Sequence, residues 1–286
     1  MPDSGRLSIV GTGIRPGGQL TTEARHLIAA ADQVLTVVDG LALNVLKAIN
    51  PATESMQDCY AVGRQRDDSY AEMVSRLLAP LSQGKHVCGA FYGHPGVFVW
   101  PAHQAIKLAR ANGHSATMYP GISAEGCLFA DLGLDPAMHG CQSYEASDFL
   151  LYPRKIDPTA ALILWQPAAL GDHSRSTFKT DPAWVQVLAD VLQADYPADH
   201  PVIIYQAATF PLESPRIESV PLCQLHQARF SQLSTLFLKP TGPPRLSEER
   251  LIRLGLKPEN FTHAEFQLSR GTGNWNASKS GTRRSG

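Results

Sequence analysis

The sequence predicts an α/β protein of two lobes, with a mainly parallel sheet in the first lobe and a mixed sheet in the second. Short apolar runs alternate with segments of helical periodicity through the first half of the chain. Three of these runs lead into glycine-rich turns. After about residue 145, proline and aspartate become more frequent between the strand candidates. We therefore expect a first lobe at residues 1–145, a second at 146–258, and a tail at 259–286 that is disordered towards its end.

The first two strands and their neighbouring helices are predicted from apolar runs and capping residues. Residues 7–10 are an apolar run that ends at a glycine, and residues 33–38 are the next strand candidate. Thr21 can cap a helix between them. Ser69 and Glu72 match a capping box ahead of a further helix with one apolar face.

The same alternation continues through the first lobe. Residues 86–91 are a third strand candidate, and Pro101 suits the first turn of the helix that follows. Gly113 stands just past the predicted end of that helix. Residues 117–119 are a fourth strand candidate, and a helix through Phe129 follows them.

The second lobe has three strand candidates with longer segments between them. They are residues 161–165, 202–205 and 233–238, and residues 184–192 between the first two have helical character. No internal repeat with a period of about 20 to 50 residues is visible. A mixed sheet is therefore the expected arrangement.

Composition and charge exclude several classes of function. The chain has 286 residues, 43% hydrophobic and 18% charged, which is typical of a globular protein with a sizeable core. Its formal net charge is −1. This charge argues against partners that are bound by phosphate neutralisation, so we expect neither nucleic acid nor a membrane as a partner.

The cysteines and the N-terminal residues favour a reducing, cytoplasmic location. Five cysteines are scattered without a CxxC pair, which is typical of free thiols. The first residues lack the apolar run of a signal peptide, and no apolar stretch approaches the roughly 18 residues that span a bilayer. The histidines and acidic residues show no spacing typical of a metal site, so no metal is predicted.

Three glycine-rich turns follow predicted parallel strands. Gly11 and Gly13 end the first strand, but the third glycine of a dinucleotide-binding loop is missing, so this pair alone indicates only a tight turn. The second turn spans residues 92–98 and the third spans residues 120–125. Because the carboxyl ends of parallel strands lie at one edge of a sheet, the three turns together predict a ligand site.

The order of these turns resembles that of the tetrapyrrole-methylase family of class III methyltransferases. GTG is followed by GxPxxF and then by PG[IV]S. Longer strings narrow the resemblance to the borosin branch, whose enzymes N-methylate peptide backbones. These strings are FYGHPGVFV at residues 91–99, PGISAE at 120–125, LFADL at 128–132 and YEASDFL at 144–150. The similarity runs from about residue 6 to about residue 256.

The resemblance implies a fold, a cofactor and a dimer. Family members bind S-adenosylmethionine in a cleft between two α/β lobes, release S-adenosylhomocysteine and act as homodimers. The implied cofactor contacts lie in the three turns and in the second lobe. They are Gly11, Gly13, Tyr92, His94, Val97, Phe98, Ser123, Ala124, Gln166, Tyr205, Ala208, Ser234 and Thr235. Structural alternatives exist, since Val97 and Phe98 could be plain core and Ser123 could serve only as a helix cap.

Methylation of a backbone amide needs a strong base. The amide nitrogen is a poor nucleophile because its lone pair is delocalised into the carbonyl. A phenolate suits its deprotonation better than imidazole or a carboxylate, since tyrosine has an unperturbed pKa of about 10. Tyr70 is the candidate base, expected in the first turn of the helix capped by Ser69, where the helix dipole favours an anion. Arg66 is the candidate for stabilising the phenolate or the imidate oxygen.

Two further tyrosines complete the predicted catalytic group. The borosin pattern implies a role for Tyr60, six residues before Arg66, and Tyr92 would place another hydroxyl near the methyl group. Borosins often carry a tyrosine where this chain has Gln57, so substrate positioning can differ there. From spacing alone, Tyr70 is also consistent with a core aromatic on the apolar face of its helix.

The resemblance also implies a peptide substrate. Fungal borosins continue into a clasp region and an apolar core peptide that the enzyme itself methylates. Residues 271–286 contain no such apolar run, so we expect a separate precursor peptide. Two alternatives stay open: methylation of a small molecule such as a tetrapyrrole, and a non-catalytic module that binds S-adenosylmethionine or a peptide.

Overall fold

The computed structural model describes residues 4–60, 65–172 and 178–257. The predicted tail at 259–286 and residues 61–64, between the predicted catalytic residues Tyr60 and Arg66, lie outside these ranges. Across the described ranges, no helix is long and apolar enough to cross a membrane. All five cysteines are free thiols, as expected.

The first lobe is built on a parallel five-stranded sheet, which confirms the prediction. Its strands are β1 (Arg6–Gly11), β2 (Gln33–Val37), β3 (Thr53–Ser55), β4 (His86–Phe91) and β5 (Ser115–Met118). Their spatial order is β3-β2-β4-β1-β5, and every pair is parallel. The helices are α1 (Thr22–Ala30), α2 (Gly40–Ile49), α3 (Arg66–Leu78), α4 (Trp100–Ala111), α5 (Ala124–Leu132) and α6 (Pro136–His139).

Capping side chains fix the starts of several helices. The hydroxyl of Thr21 accepts a hydrogen bond from the Ala24 amide at 3.1 Å, so Thr21 caps α1 as predicted. The carboxylate of Asp39 accepts from the Ala42 amide at 2.8 Å and caps α2, a helix that the sequence analysis did not predict. These caps satisfy amides that have no partner inside the first turn.

The capping box predicted at Ser69 is wrong. Helix α3 begins at Arg66, so Ser69 lies inside it, where its buried hydroxyl donates to the Gln65 carbonyl at 3.2 Å. This back-bonding to residue i−4 satisfies the hydroxyl without a cap. Tyr70 is therefore in the second turn of α3, beyond the first turn where the helix dipole acts most strongly.

The second lobe contains the expected mixed sheet. Its elements are β6 (Cys141–Glu145), α7 (Ala146–Leu151), β7 (Ala161–Trp165), α8 (Pro182–Leu192), β8 (Pro201–Gln206), β9 (Arg216–Pro221), β10 (Thr235–Leu238) and α9 (Glu248–Arg253). The strand order is β6-β7-β10-β8-β9. Only the β6–β7 pair is parallel among these neighbours.

A shared hydrophobic core joins the two lobes. Leu128 on α5 packs in one cluster with Ile163 and Phe237 from the second sheet, and all three are fully buried. The buried hydroxyl end of Tyr205 on β8 donates to the Asp131 carboxylate on α5 at 2.7 Å. Apolar contacts and this hydrogen bond therefore hold the edge of the first lobe against the second sheet.

Candidate active site

The three predicted turns meet backbone to backbone. Gly13 and Gly93 exchange two hydrogen bonds, with N–O distances of 3.2 and 3.0 Å. A Cβ atom on Gly11 would lie 2.2 Å from the Gly93 carbonyl oxygen and 3.2 Å from the Gly121 Cα. Glycine is needed at position 11 because a side chain would push the first turn away from the other two. The turns therefore form one continuous floor.

A cleft between the lobes opens beside this floor. It holds about 290 Å³ of space accessible to water, near the lower end of the range for small-molecule sites. Eleven of the residues that the sequence analysis singled out line it: Tyr60, Tyr70, Tyr92, His94, Val97, Phe98, Ser123, Ala124, Gln166, Ser234 and Thr235. The turns, the start of α3 and the second lobe thus meet at this cleft.

Several predicted residues do not line the cleft. Gly11 and Gly13 lie in the floor of the turns, and Arg66 lies against the Tyr60 ring. Tyr205 is fully buried in the core between the lobes, and Ala208 is buried beside Ala207, which does line the cleft. The Tyr205 hydroxyl therefore donates a hydrogen bond to Asp131 and does not face the cleft.

Twelve further cleft residues were not predicted as site residues: Ile14, Val37, Met73, Phe91, Gly93, Val99, Pro101, Glu125, Trp165, Ala207, Gln232 and Leu233. Glu125 follows Ala124 and Trp165 precedes Gln166, two predicted contacts, so the neighbouring motif could have indicated both. Leu233 opens the strand candidate at residues 233–238, whereas no pattern in the sequence indicates a site at Gln232, the residue before it. Trp165 is held by a hydrogen bond from its indole N–H to the Ser143 hydroxyl at 2.7 Å.

Two cleft residues have a strained backbone. Phe98 and Gln166 both have φ of 56°, in the left-handed region that non-glycine residues rarely adopt. Such strain persists where the surrounding structure enforces it, commonly at ligand sites. Phe98 comes from the first lobe and Gln166 from the second, and the Phe98 ring lies 6.1 Å from the Trp165 ring. Phe98 is 49% exposed and Val97 40%, so neither is a plain core residue.

An aromatic cluster lies at the end of the cleft next to α3. The Tyr70 ring meets Tyr60 edge to face, with 6.5 Å between centroids, and stacks on Trp100 at 6.0 Å. The guanidinium carbon of Arg66 lies 4.5 Å from the centroid of the Tyr60 ring. Arg66 is therefore in direct contact with Tyr60, which is itself an aromatic neighbour of Tyr70.

The hydroxyls of Tyr60 and Tyr92 are held in their protonated form. Burial, and then the neighbouring Tyr70, raise the pKa of Tyr60 to about 12, although the charge and hydrogen bond of Arg66 act in the opposite direction. Burial also raises the pKa of Tyr92 to about 12. Both hydroxyls therefore remain protonated near neutral pH and can donate hydrogen bonds. Within the described ranges, the Tyr70 hydroxyl makes no hydrogen bond to the protein, so it is available to a ligand.

The charge of the cleft favours a cationic or neutral ligand. Among the described residues that line it there is one carboxylate, Glu125, and neither lysine nor arginine. A site for phosphate groups normally supplies positive charge or several free backbone amides. The described ranges also contain no group of three or more histidine, cysteine or acidic side chains arranged for a metal ion.

Comparisons with known proteins agree with this geometry. At 41% identity over 258 residues, the chain is similar to a methyltransferase/ribosomally synthesized cyclic peptide gymnopeptides precursor of Gymnopus fusipes, covering 88% of this chain and 61% of that protein. At 36% identity over 260 residues, it is similar to the corresponding omphalotin A precursor of Omphalotus olearius, covering 89% and 62%. The chain thus spans less than two thirds of the length of these relatives.

Solved structures and a family match complete the comparison. A uroporphyrin-III C-methyltransferase from Thermus thermophilus, complexed with S-adenosyl homocysteine, superposes with a TM-score of 0.57 at 18% identity, covering 82% of this chain and 97% of that chain. At such identity the likeness shows the fold. The tetrapyrrole (corrin/porphyrin) methylases match residues 6–222. As the sequence predicted, the chain belongs to the tetrapyrrole methylase family, a family of methyltransferases.

Proposed function

We propose that the protein is an S-adenosylmethionine-dependent methyltransferase that N-methylates backbone amides of a ribosomally made precursor peptide. The observation that carries the proposal is the pair of tyrosines, Tyr60 and Tyr70, beside a cleft with a glycine-turn floor. The relatives that match most of this chain are named as methyltransferases and as precursors of ribosomally synthesized cyclic peptides. Both lines of support point to peptide methylation.

The cleft suits S-adenosylmethionine. The cofactor carries a positive sulfonium, and the cleft has one carboxylate, Glu125, without a lysine or arginine among its described lining residues. Ser123 caps α5 by accepting from the Gly126 amide at 3.2 Å and also faces the cleft, so the cap and contact roles are compatible. Residues that would hold the cofactor are His94, Ser123, Ala124, Gln166, Ser234 and Thr235.

The reaction needs a proton acceptor for the amide and a donor for its oxygen. When bound, S-adenosylmethionine supplies a methyl group to the amide nitrogen, and the N–C bond forms as the S–C bond breaks. Tyr70, as the phenolate, takes the amide proton. The protonated Tyr60 hydroxyl, polarised by Arg66, donates to the imidate oxygen. The positive charge lost from sulfur and the negative charge lost from the imidate cancel.

We further propose a homodimer and a separate precursor peptide. The relatives are named as methyltransferase and precursor combined, so the location of the peptide needs a direct test. Light scattering on the purified protein measures the oligomeric state, and a monomeric mass would contradict the dimer.

The function is tested by co-expressing the protein with the small open reading frames beside its gene, followed by tandem mass spectrometry of the peptides and of the protein itself. We expect methylene mass gains on backbone nitrogens of a separate peptide. The Tyr70→Phe variant is expected to lose them while retaining S-adenosylmethionine binding in a calorimetric titration. Gains on this chain would contradict the separate precursor. Gains on side chains only, or turnover with a small molecule and no peptide, would contradict backbone methylation.

A further inference from the structure

A half-exposed tryptophan stacks on the proposed base. Trp100 is the first residue of α4 and 51% exposed, and its ring plane lies at 20° to that of Tyr70. An exposed indole is costly to solvate, so a stacked pair at the cleft gives it a partner for one face. Tyr60 meets the same Tyr70 ring edge to face. The Tyr70 ring is thus bounded by two aromatic neighbours.

These ring contacts determine where the Tyr70 hydroxyl points. In the part of the chain that the structure describes, no hydrogen bond from the protein fixes that hydroxyl. A side chain without such a bond is oriented by the packing of its ring. Proton transfer requires hydrogen-bond distance to the amide, so a small rotation of the ring would reduce the rate strongly.

Trp100 also links Tyr70, the proposed base, to the second glycine-rich turn at residues 92–98. Val97, Phe98 and Val99 line the cleft, and Trp100 follows them directly in the chain. Phe98 has a strained φ of 56°, so the path of the turn is enforced rather than relaxed. The position of Trp100 is therefore set by the same segment that would contact the cofactor.

We propose that Trp100 is a positioning residue for methyl transfer. It holds the Tyr70 ring so that the hydroxyl lies within hydrogen-bond distance of the amide nitrogen that receives the methyl group. This inference rests on the proposed function. It assigns to Trp100 an effect on kcat, because the residue acts through Tyr70 and does not line the cleft.

The test compares Trp100→Leu, which removes the ring, with Trp100→Phe, which keeps an aromatic face. Trp184→Leu is the matched control, because Trp184 is 42% exposed and also lies in the first turn of a helix, two positions after a proline. The substrate is the unmodified peptide that the wild-type protein methylates in co-expression. Initial rates give kcat and the KM for S-adenosylmethionine, and thermal melting reports the fold.

We expect Trp100→Leu to lower kcat by about two- to tenfold, the range for losing one aromatic pair. The KM for S-adenosylmethionine and the melting temperature should change little, Trp100→Phe should recover most of the rate, and Trp184→Leu should keep the wild-type kcat. A wild-type kcat in Trp100→Leu, or an effect of this variant confined to KM or to the melting temperature, would overturn this inference but not the proposed function. Absence of backbone methylation by the wild-type protein would overturn the proposed function as well.

Discussion

Three of the tyrosines predicted as site residues differ in what surrounds their hydroxyl groups. Tyr70 has rings on two sides and a hydroxyl without a protein partner in the described ranges. Tyr60 is partly buried and has Arg66 over its ring. The Tyr205 hydroxyl is bonded to Asp131, and burial together with that carboxylate raises its pKa. Of these three hydroxyls, only that of Tyr70 has no protein hydrogen bond within the described ranges, so its phenolate form would take a proton without displacing a protein group.

Replacing Tyr205 with phenylalanine separates its structural role from cofactor binding. The change removes the hydrogen bond to Asp131 between the lobes. We expect the free energy of unfolding to fall by about 1–2 kcal/mol, as measured by urea denaturation. Affinity for S-adenosylmethionine, measured by calorimetry, should stay near the wild-type value. A weaker affinity at unchanged stability would instead support the cofactor contact that the sequence analysis assigned to this residue.

Individual site residues were predictable where a turn motif contains them and less so elsewhere. His94 and Ser123 belong to motifs whose strand context could be recognised. Nothing in the sequence indicated that Phe98 and Gln166 would adopt positive φ, because their backbone conformation is enforced by tertiary contacts. The stacking of Trp100 on Tyr70 also joins residues thirty positions apart, and a local pattern cannot show such a contact.

At the scale of elements, the site depends on the close approach of three turns. The turns after β1, β4 and β5 contact one another through glycine backbone, which places their following residues at one edge of the parallel sheet. Any side chain at the point of contact would separate the turns. How much a substitution at each glycine destabilises the protein therefore depends on which atoms an added Cβ would contact.

Gly11→Ala tests this contact, with Gly18→Ala as the control. The added Cβ at position 11 would lie 2.2 Å from the Gly93 carbonyl oxygen, whereas at position 18 it would meet nothing within 4 Å. We expect Gly11→Ala to lose about 1–3 kcal/mol of stability and to bind S-adenosylmethionine more weakly. Gly18→Ala should match the wild type in thermal melting and in calorimetry. Equal behaviour of the two variants would show that the turns do not need their close contact.

The elements that the sequence predicted well are those with a strong apolar signal. Strands β1, β4 and β7 are buried on both faces, so their residues form continuous apolar runs. The edge strands β6 and β9 were missed because they are partly exposed and mostly polar. The start of α3 was misplaced because Ser69 and Glu72 satisfy the capping pattern although the helix begins a turn earlier.

For the whole molecule, buried tyrosines predict a loss of stability in alkaline solution. Burial raises the pKa values of Tyr60, Tyr92 and Tyr196 to about 12, above the value of about 10 for an unfolded chain. The folded state therefore holds these protons more tightly than the unfolded state. Their contribution to stability is complete below about pH 10 and is lost as the pH rises towards 12.

We expect the free energy of unfolding, measured by urea denaturation, to be lower at pH 11 than at pH 9. Ultraviolet absorbance of the folded protein should show tyrosines that ionise only above pH 11. The stability should return when the sample is brought back to pH 9. Tyrosines that all ionise near pH 10 in the folded protein would contradict the predicted link between burial and stability.

The position of β10 determines when the enzyme can first become active during its synthesis. β10 pairs with both β7 and β8, which do not pair with each other, so the latest of the described strands occupies the centre of the second sheet. Ser234 and Thr235 enter the cleft together with it. Until this strand leaves the ribosome, nothing joins β7 to β8 in the second sheet, and the cleft lacks the residues that β10 contributes. Under the proposed function, methylation of a peptide must therefore follow translation of this domain, whichever chain carries the substrate.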